Sequence, residues 1–362
     1  MSIADFTAAR DVIMDVQQAD PTGTEVCEAI ANGMMRIARY DAAAVMTTDP
    51  ETHLPAGGVV YGFEAKACVP FWDNELLDPD FNKFNDLARS IDPVATLAEA
   101  TDGDLGRSPR FTKMYEPSHA SDELRVAFTS GTTCLAIGAF LRCDGQTYTP
   151  SEVNDVRNLL VPASNALRRA LGRHRGESIA AGPIVVLLGP DGKILSVTEG
   201  AEDVLEDLRV DSVDDEIPGT ILVAASKARA SRASTKLTTR LRGRSGRWVR
   251  IHVCPMSGGV ESVSVTIESA HAGDLVPILL DSYGLTTRET DIVLALCRGF
   301  STKEIAAECG ISVHTVRDHM KAIFAKSRVT SRGELVANLF SKHVLGTFHE
   351  AVVDANEHQL HR

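Results

Sequence analysis

Residues 285–340 read LTTRETDIVLALCRGFSTKEIAAECGISVHTVRDHMKAIFAKSRVTSRGELVANLF. Four helix starts stand in this stretch. Thr286 with Glu289, Ser301 with Glu304 and Ser331 with Glu334 each have the spacing of a capping box, in which hydroxyl and carboxylate satisfy two orphan backbone N–H groups. Ser312 can cap the remaining helix by itself. Gly299 and Gly310 fall where the first two helices must stop, since glycine takes the left-handed conformation that closes a helix end. The central pair is expected over 301–308 and 312–326, joined by Cys309-Gly310-Ile311.

Ile292, Val293, Leu296, Ile305, Ala306, Ile311, Val316 and Ile323 recur at helical spacing and can close one small core around that turn. The third helix then keeps a free face carrying His314, Arg317, Asp318 and Lys321, with Lys326 and Arg328 further along. A short-turn pair with a basic second helix is the arrangement that places this helix in the major groove. The plainer alternative is an αα-hairpin with a solvated charged face. His314 and His319 have no third ligand nearby in sequence, so no metal site is indicated.

The ordered set Leu285-Thr286, Arg288-Glu289, Gly299, Ser301, Lys303-Glu304-Ile305-Ala306, Ile311-Ser312, Thr315-Val316, His319, Ile323, Lys326, Val329, Ser331-Arg332 and Glu334-Leu335 resembles the DNA-binding domain of LuxR-type transcriptional regulators. The resemblance implies that Arg317, Asp318 and Lys321 face base edges of double-stranded DNA. It puts Thr302, Lys303, Thr315 and Lys326 near phosphates, and Ser312 and His314 complete the candidate DNA-binding set. Two places depart from the family pattern: Cys309 replaces the usual Leu, and Ser327-Arg328 replace an apolar residue and Gly. RNA polymerase is a candidate partner by the same resemblance.

The net charge of −12 over 362 residues looks wrong for a DNA binder until it is divided. Residues 285–342 hold nine Lys and Arg against six Asp and Glu, giving +3 and leaving −15 for the rest. A mildly basic module on an acidic body binds DNA modestly as one copy, so a homodimer on a two-fold site is expected. No apolar run approaches the ~20 residues of a membrane span, and the start MSIADFTAARDVIMD lacks a basic signal-peptide region. A cytoplasmic chain without membrane contact is therefore expected. Seven scattered cysteines suggest neither a disulfide framework nor a zinc ribbon; buried thiols are the plain reading and a redox sensor the other.

Residues 1–175 read as one α/β domain. A helix near 22–39 precedes a buried strand over 42–47, the turn Asp49-Pro50-Glu51, and a hairpin to Val59-Val60-Tyr61. A long, loop-rich section from Cys68 to about Glu123 carries Phe71, Trp72, Phe81, Phe84, Phe111 and Tyr115, and strands follow at 124–129 and 134–142. This layout resembles a GAF-type sensor domain, which implies a small-molecule pocket over the sheet lined by those six aromatics; equally, the rings are simply core. Thr149–Leu171 reads as a capped helix whose positions 153, 156, 160, 163, 167 and 170 form a heptad seam, suited to a dimer helix or to packing on its own domain. A basic linker with Arg173, His174 and Arg175 follows.

Residues 178–270 carry strands at 184–188 and 194–197 around Asp191-Gly192, a helical stretch at 201–208, and strands at 236–242, 248–253 and 260–267. Two strands, helices and a three-strand meander resemble a PAS-type fold. Lys227 to Arg250 contains nine basic and no acidic residues. This stretch is a second DNA-backbone contact, through residues such as Arg242 and Arg244, a dock for the acidic body, or an exposed sheet face.

No GxxxxGK[ST], GxSxG or HExxH occurs, and residues 1–150 lack the alternating βα units of a phosphorelay receiver. No catalytic residue, metal or cofactor is implied, and the chain is expected not to be an enzyme. The expected architecture is multidomain: two α/β (α+β) sensor domains, GAF-like over 1–175 and PAS-like over 178–270, then an all-α four-helix LuxR-type helix-turn-helix domain over 278–345 and a flexible tail over 346–362. The expected function is DNA-binding regulation of transcription, controlled by a small-molecule or protein signal at the N-terminal domains. An enzyme or a protein-interaction adaptor in the N-terminal domain is the alternative.

Overall fold

The computed structural model describes residues 3–18, 21–63, 67–116, 119–131, 133–143, 145–171, 182–210, 217–230, 236–257 and 261–339. The basic linker at 173–175 and the tail over 346–362 lie outside them. Two five-stranded antiparallel sheets are followed by a helical C-terminal unit.

The chain opens with α1 (Ile3–Gln18), α2 (Gly23–Ile37), β1 (Ala42–Thr48) and β2 (Pro55–Tyr61). Helix α1 was not anticipated, although Phe6, Ala9, Ile13 and Val16 share one helical face and Ala9 and Ile13 are fully buried. It can lie close to α2 because Gly33 faces the Ala9 carbonyl, which a Cβ there would meet at 3.1 Å. Helix α2 starts with the capping box of Thr22 and Glu25.

The section expected to be loop-rich instead contains α3 (Cys68–Leu77), the short α4 (Phe84–Leu87), β3 (Val94–Thr96) and α5 (Leu97–Ala100). Strands β4 (Ala120–Ser130) and β5 (Thr133–Cys143) complete the first sheet, in the order β2-β1-β5-β4-β3. Register puts Ala43, Val45, Leu124, Val126, Phe128 and Phe140 on one face and Ala44, Met46, Ala127, Ile137 and Ala139 on the other. The first face packs under α1, α2 and α6 (Pro150–Leu171). The proposed dimer seam of α6 is spent there: Val153, Val156, Ala163, Leu167 and Ala170 are buried in its own core. A coiled coil through that seam is thus ruled out.

The second sheet is built from β6 (Ile184–Leu188), β7 (Ile194–Val197), β8 (Leu237–Arg242), β9 (Trp248–Met256) and β10 (Ser262–Ser269), with α7 (Glu202–Asp207) and α8 (Gly219–Ala230) between β7 and β8. Its order β7-β6-β10-β9-β8 repeats that of the first sheet: second, first, fifth, fourth, third. The expected alternation of β8 and β9 is present, with Thr239 opposite Ile251 and Leu241 opposite Val249.

The two sheets do not sit in series with separate cores. One hydrophobic cluster joins Met46, Trp72, Ile137 and Ala139 to Ile184, Ile221, Val249 and Val265; another joins the α2 and α6 core to Trp248, Leu275 and Ile278. Polar groups seal the same boundary. Asp49 is fully buried, with Arg240 Nε 2.6 Å from its Oδ2, and the same guanidinium reaches Glu51 at 3.0 Å and the Asp274 carbonyl at 2.6 Å.

Among the described residues of the basic stretch most side chains are engaged within the protein, and Lys227, Arg240 and Arg242 reach the first unit. Lys227 donates to the Thr52 carbonyl, Arg229 to Gly189, Arg242 to Ala170, Arg244 to Glu206, and Arg250 to Glu268 and Asp274. Arg242 is only 6% exposed, with its guanidinium 5.5 Å from the Trp248 ring centroid, so it cannot meet a DNA phosphate.

Helix α9 (Ala272–Ser282) spans the expected boundary at 278, packs on α6, and leads into α10 (Thr287–Cys297), α11 (Thr302–Cys309), α12 (Val313–Ser327) and α13 (332–339). Among the described residues no helix is long and apolar enough to cross a membrane.

Candidate nucleic-acid interface

Each start in the C-terminal unit is held by its own side chains. Thr286 with Glu289 and Ser301 with Glu304 make full capping boxes, and the Ser312 hydroxyl accepts from the Thr315 N–H at 3.1 Å. At α13 the pattern is split: the Ser331 hydroxyl accepts from the Glu334 N–H, while the Glu334 carboxylate takes the Thr330 N–H and hydroxyl. Gly310 ends α11 at φ 64°, and the Ile311 N–H returns to the Ala306 carbonyl at 3.0 Å. This tight closure sets α12 across α11 around Ile292, Val293, Leu296, Ile305, Val316 and Ile323, all buried.

Side-chain contacts of basic residues link the helices. Arg288 donates to the Cys309 carbonyl, Arg298 meets Glu308 at 2.6 Å, and Lys326 meets Glu289 at 2.5 Å. Lys326, expected near a phosphate, reaches the buried cap carboxylate at the start of α10 and remains partly exposed. The sequence marks Glu289 as a cap but carries no sign that Lys326 folds back on it.

With the core on one side, His314, Arg317, Asp318 and Lys321 form one exposed stripe along α12, at i, i+3, i+4 and i+7. Asp318 lies between two donors, Lys321 Nζ at 3.2 Å and His314 Nδ1 at 2.9 Å. The Lys321 hydrogen bond, with smaller help from His314, holds its carboxyl below the usual range, so it stays ionised. Among the described residues Arg317 makes no ion pair or hydrogen bond, which leaves its planar fork open for a base edge or phosphate. Lys303 and Thr315 are exposed and Thr302 half-buried at the starts of α11 and α12, where backbone N–H groups also favour anions.

The end of α12 explains the departure at 327 and 328. Ser327 is buried, its hydroxyl donating to the Ile323 carbonyl at 2.7 Å, and Arg328 adopts φ 54°, the left-handed conformation that Gly310 takes at the end of α11. A side chain there costs about 1 kcal/mol relative to glycine. Arg328→Gly is expected to raise the stability of this unit by about that amount in urea unfolding, with Arg328→Ala giving no such gain.

Of the six aromatics expected around a pocket, Phe71 touches both Trp72 and Phe84, with ring centroids 5.4 and 6.5 Å apart. Phe71, Trp72 and Tyr115 line a cavity of about 110 Å³ over the first sheet, together with residues of the second unit. Phe84 lies instead beneath the Arg125 guanidinium at 4.4 Å, Phe81 beneath Arg107 at 5.3 Å, and Phe111 packs half-buried beside Leu141. Arg125, which lies over both Phe71 and Phe84, belongs to a buried charge network that the sequence did not reveal. Glu123 accepts from Arg110 at 2.6 Å, Arg125 at 3.0 Å and the Tyr115 hydroxyl at 2.8 Å, while Arg125 also holds Glu75 at 2.7 Å and Arg110 lies 3.6 Å from Asp80. In sequence, Glu123 and Arg125 alternate with Leu124 and Val126 and so look like the wet face of a strand. Both cysteines in the cores are inert at neutral pH, burial pushing Cys27 up to about 12 and Cys134 to about 11.

Residues 283–339 match the family described as bacterial regulatory proteins, luxR family. The chain is 43% identical over 61 residues to a putative HTH-type transcriptional regulator of Aeromonas salmonicida, covering 17% of this chain and 31% of that protein. It is 40% identical over 65 residues to the monoamine regulon transcriptional regulator of Klebsiella aerogenes, covering 18% and 29%. The chain thus spans under a third of the length of these relatives. A crystal structure of Escherichia coli SdiA covers 92% of this chain and 96% of its own at 14% identity, with a TM-score of 0.30, below the level of a shared fold.

Proposed function

We propose that this chain is a DNA-binding transcriptional regulator of the cytoplasm, working as a homodimer. Helix α12 enters the major groove, and two N-terminal units, GAF-like over 1–175 and PAS-like over 178–270, control the helix-turn-helix domain over 278–345. The observation that carries the reading is the exposed stripe His314, Arg317, Asp318 and Lys321 on the second helix of a glycine-turned pair, within the segment that matches the luxR family. Arg317 and Lys321 suit guanine, and Asp318 suits the amino group of cytosine. The identical strand order of the two sheets supports the sensor reading, since both units present one sheet with helices on its face. Support for two copies is the charge balance of the chain, not the α6 seam.

The test starts from duplex sites selected by the full chain and titrated by fluorescence anisotropy. Arg317→Ala or Lys321→Ala is expected to cost about 1–3 kcal/mol on the selected site and to relax preference there, while Lys303→Ala weakens all sequences alike and lowers the salt slope by about 1. Unchanged affinity and preference in both α12 variants would remove α12 from the groove.

A further inference from the structure

The cavity over the first sheet is bounded on one side by the second unit. Met46 and Ala139 form its floor, Phe71 and Trp72 of α3 one wall, and Ile217 and Thr220 at the start of α8 the wall opposite. The two walls meet where a Cβ on Gly219 would lie 2.9 Å from Cys68 Sγ, an approach that only glycine allows without a shift. Two independent observations point to an occupant. About 110 Å³ stays unfilled in this partly open, mostly apolar space, near the ~150 Å³ of an engineered cavity that accepts benzene. Thr220 is 3% exposed and its hydroxyl has no hydrogen-bond partner, whereas buried polar groups are nearly always satisfied.

Two further polar side chains border the cavity. The Tyr115 hydroxyl donates to Glu123 at 2.8 Å, and Arg209 pairs with Glu206 at 3.2 Å. A carboxylate entering this space would lose its hydration and find a cation that is already neutralised. We infer that the cavity binds a neutral, ring-sized, mostly apolar molecule bearing one hydroxyl or carbonyl, held by the Thr220 hydroxyl and bridging the first sheet to α8. Such a ligand has its full contacts only when the two units are docked, so its binding stabilises the docked state. The inference deepens the sensor reading above and rests on it for the role in control; occupancy itself is tested without DNA.

The full chain is titrated with phenol, toluene and benzoate while Trp72 emission is followed, with Trp72→Phe identifying the signal of the cavity, because the second tryptophan, Trp248, lies beneath Arg242. Phenol is expected to bind about tenfold more tightly than toluene, the worth of one hydrogen bond, and benzoate more weakly than phenol. Thr220→Val should bring phenol down to the affinity of toluene and leave toluene unchanged. Ala44→Leu, which fills the cavity, should abolish both. Phenol should also slow hydrogen exchange in α3 and α8 together. Equal binding of phenol and toluene, no loss in Thr220→Val, or protection confined to one unit would overturn the inference. Should Ala44→Leu fail to fold, the Thr220→Val comparison decides alone. Failure of the α12 variants to affect DNA binding would sink the regulator reading and leave these ligand affinities standing.

Discussion

Asp49→Ala is expected to destabilise the protein by about 3–5 kcal/mol, because it leaves the Arg240 guanidinium buried without its main counter-charge. Asp49 accepts from Arg240 Nε at 2.6 Å and Nη2 at 3.1 Å, and also from the backbone N–H groups of Glu51, Thr52 and Arg240. Glu51 remains at 3.0 Å but is 79% exposed, so it compensates little. Equilibrium urea unfolding measures the loss. A double variant, Asp49→Ala with Arg240→Met, should cost less than the two single changes added, since removing both charges leaves no ion stranded. A cost under about 1 kcal/mol for Asp49→Ala would mean that water reaches Arg240 and that the bridge is ornamental.

The same pair sets a pH dependence. Burial alone would raise the Asp49 carboxyl, but hydrogen bonds and charge from Arg240, with the loop N–H groups, bring it below its ordinary value. Its contribution is therefore complete above the unfolded pKa near 3.9 and is lost as pH falls through the lower folded value. Wild type should lose stability over that acid window more steeply than Asp49→Ala, which has already given it up. Because Asp49 follows β1 and Arg240 lies in β8, the loss should appear in both units at once.

Glu123→Ala should be comparably severe, at about 3–5 kcal/mol. Its carboxylate is 1% exposed and is the shared acceptor of Arg110, Arg125 and the Tyr115 hydroxyl. Without it, two fully buried guanidiniums keep only Asp80 and Glu75 as carboxylate partners. Burial pushes the Glu123 carboxyl up and the two arginines push it further down, so the net shift is downward and this stability too disappears only in acid. Tyr115 also lines the cavity, so the variant should disturb Trp72 emission along with stability. Thermal unfolding together with that emission checks both effects; an intact Tm would show that the network is replaceable by solvent.

The local structure legible in the sequence rests on chemistry confined to a few residues. A hydroxyl three places before a carboxylate caps a helix wherever it lies, so Thr286 and Ser301 could be read directly. Glycine at 310 and the apolar period around it were enough to fix the helix pair and the exposed stripe on α12. The β8–β9 alternation was legible for the same reason, since a period of two survives any packing.

The tertiary structure alone decided how faces are spent. The α6 seam is apolar at heptad spacing, and nothing local distinguishes packing on α2 from packing on a second chain. Glu123 and Arg125 alternate like a wet strand face, but arginines and carboxylates from distant segments meet there and neutralise one another out of water. The basic stretch from 227 to 250 has the composition of a nucleic-acid contact, and only its partners, Asp49, Glu206, Glu268 and Asp274 among them, engage it within the protein. Capping, turns and periodicity are determined by neighbours in sequence, so the chain states them outright; which charge meets which, and which apolar face is covered, depends on residues brought together from different elements, as Asp49 and Arg240 are from 191 positions apart.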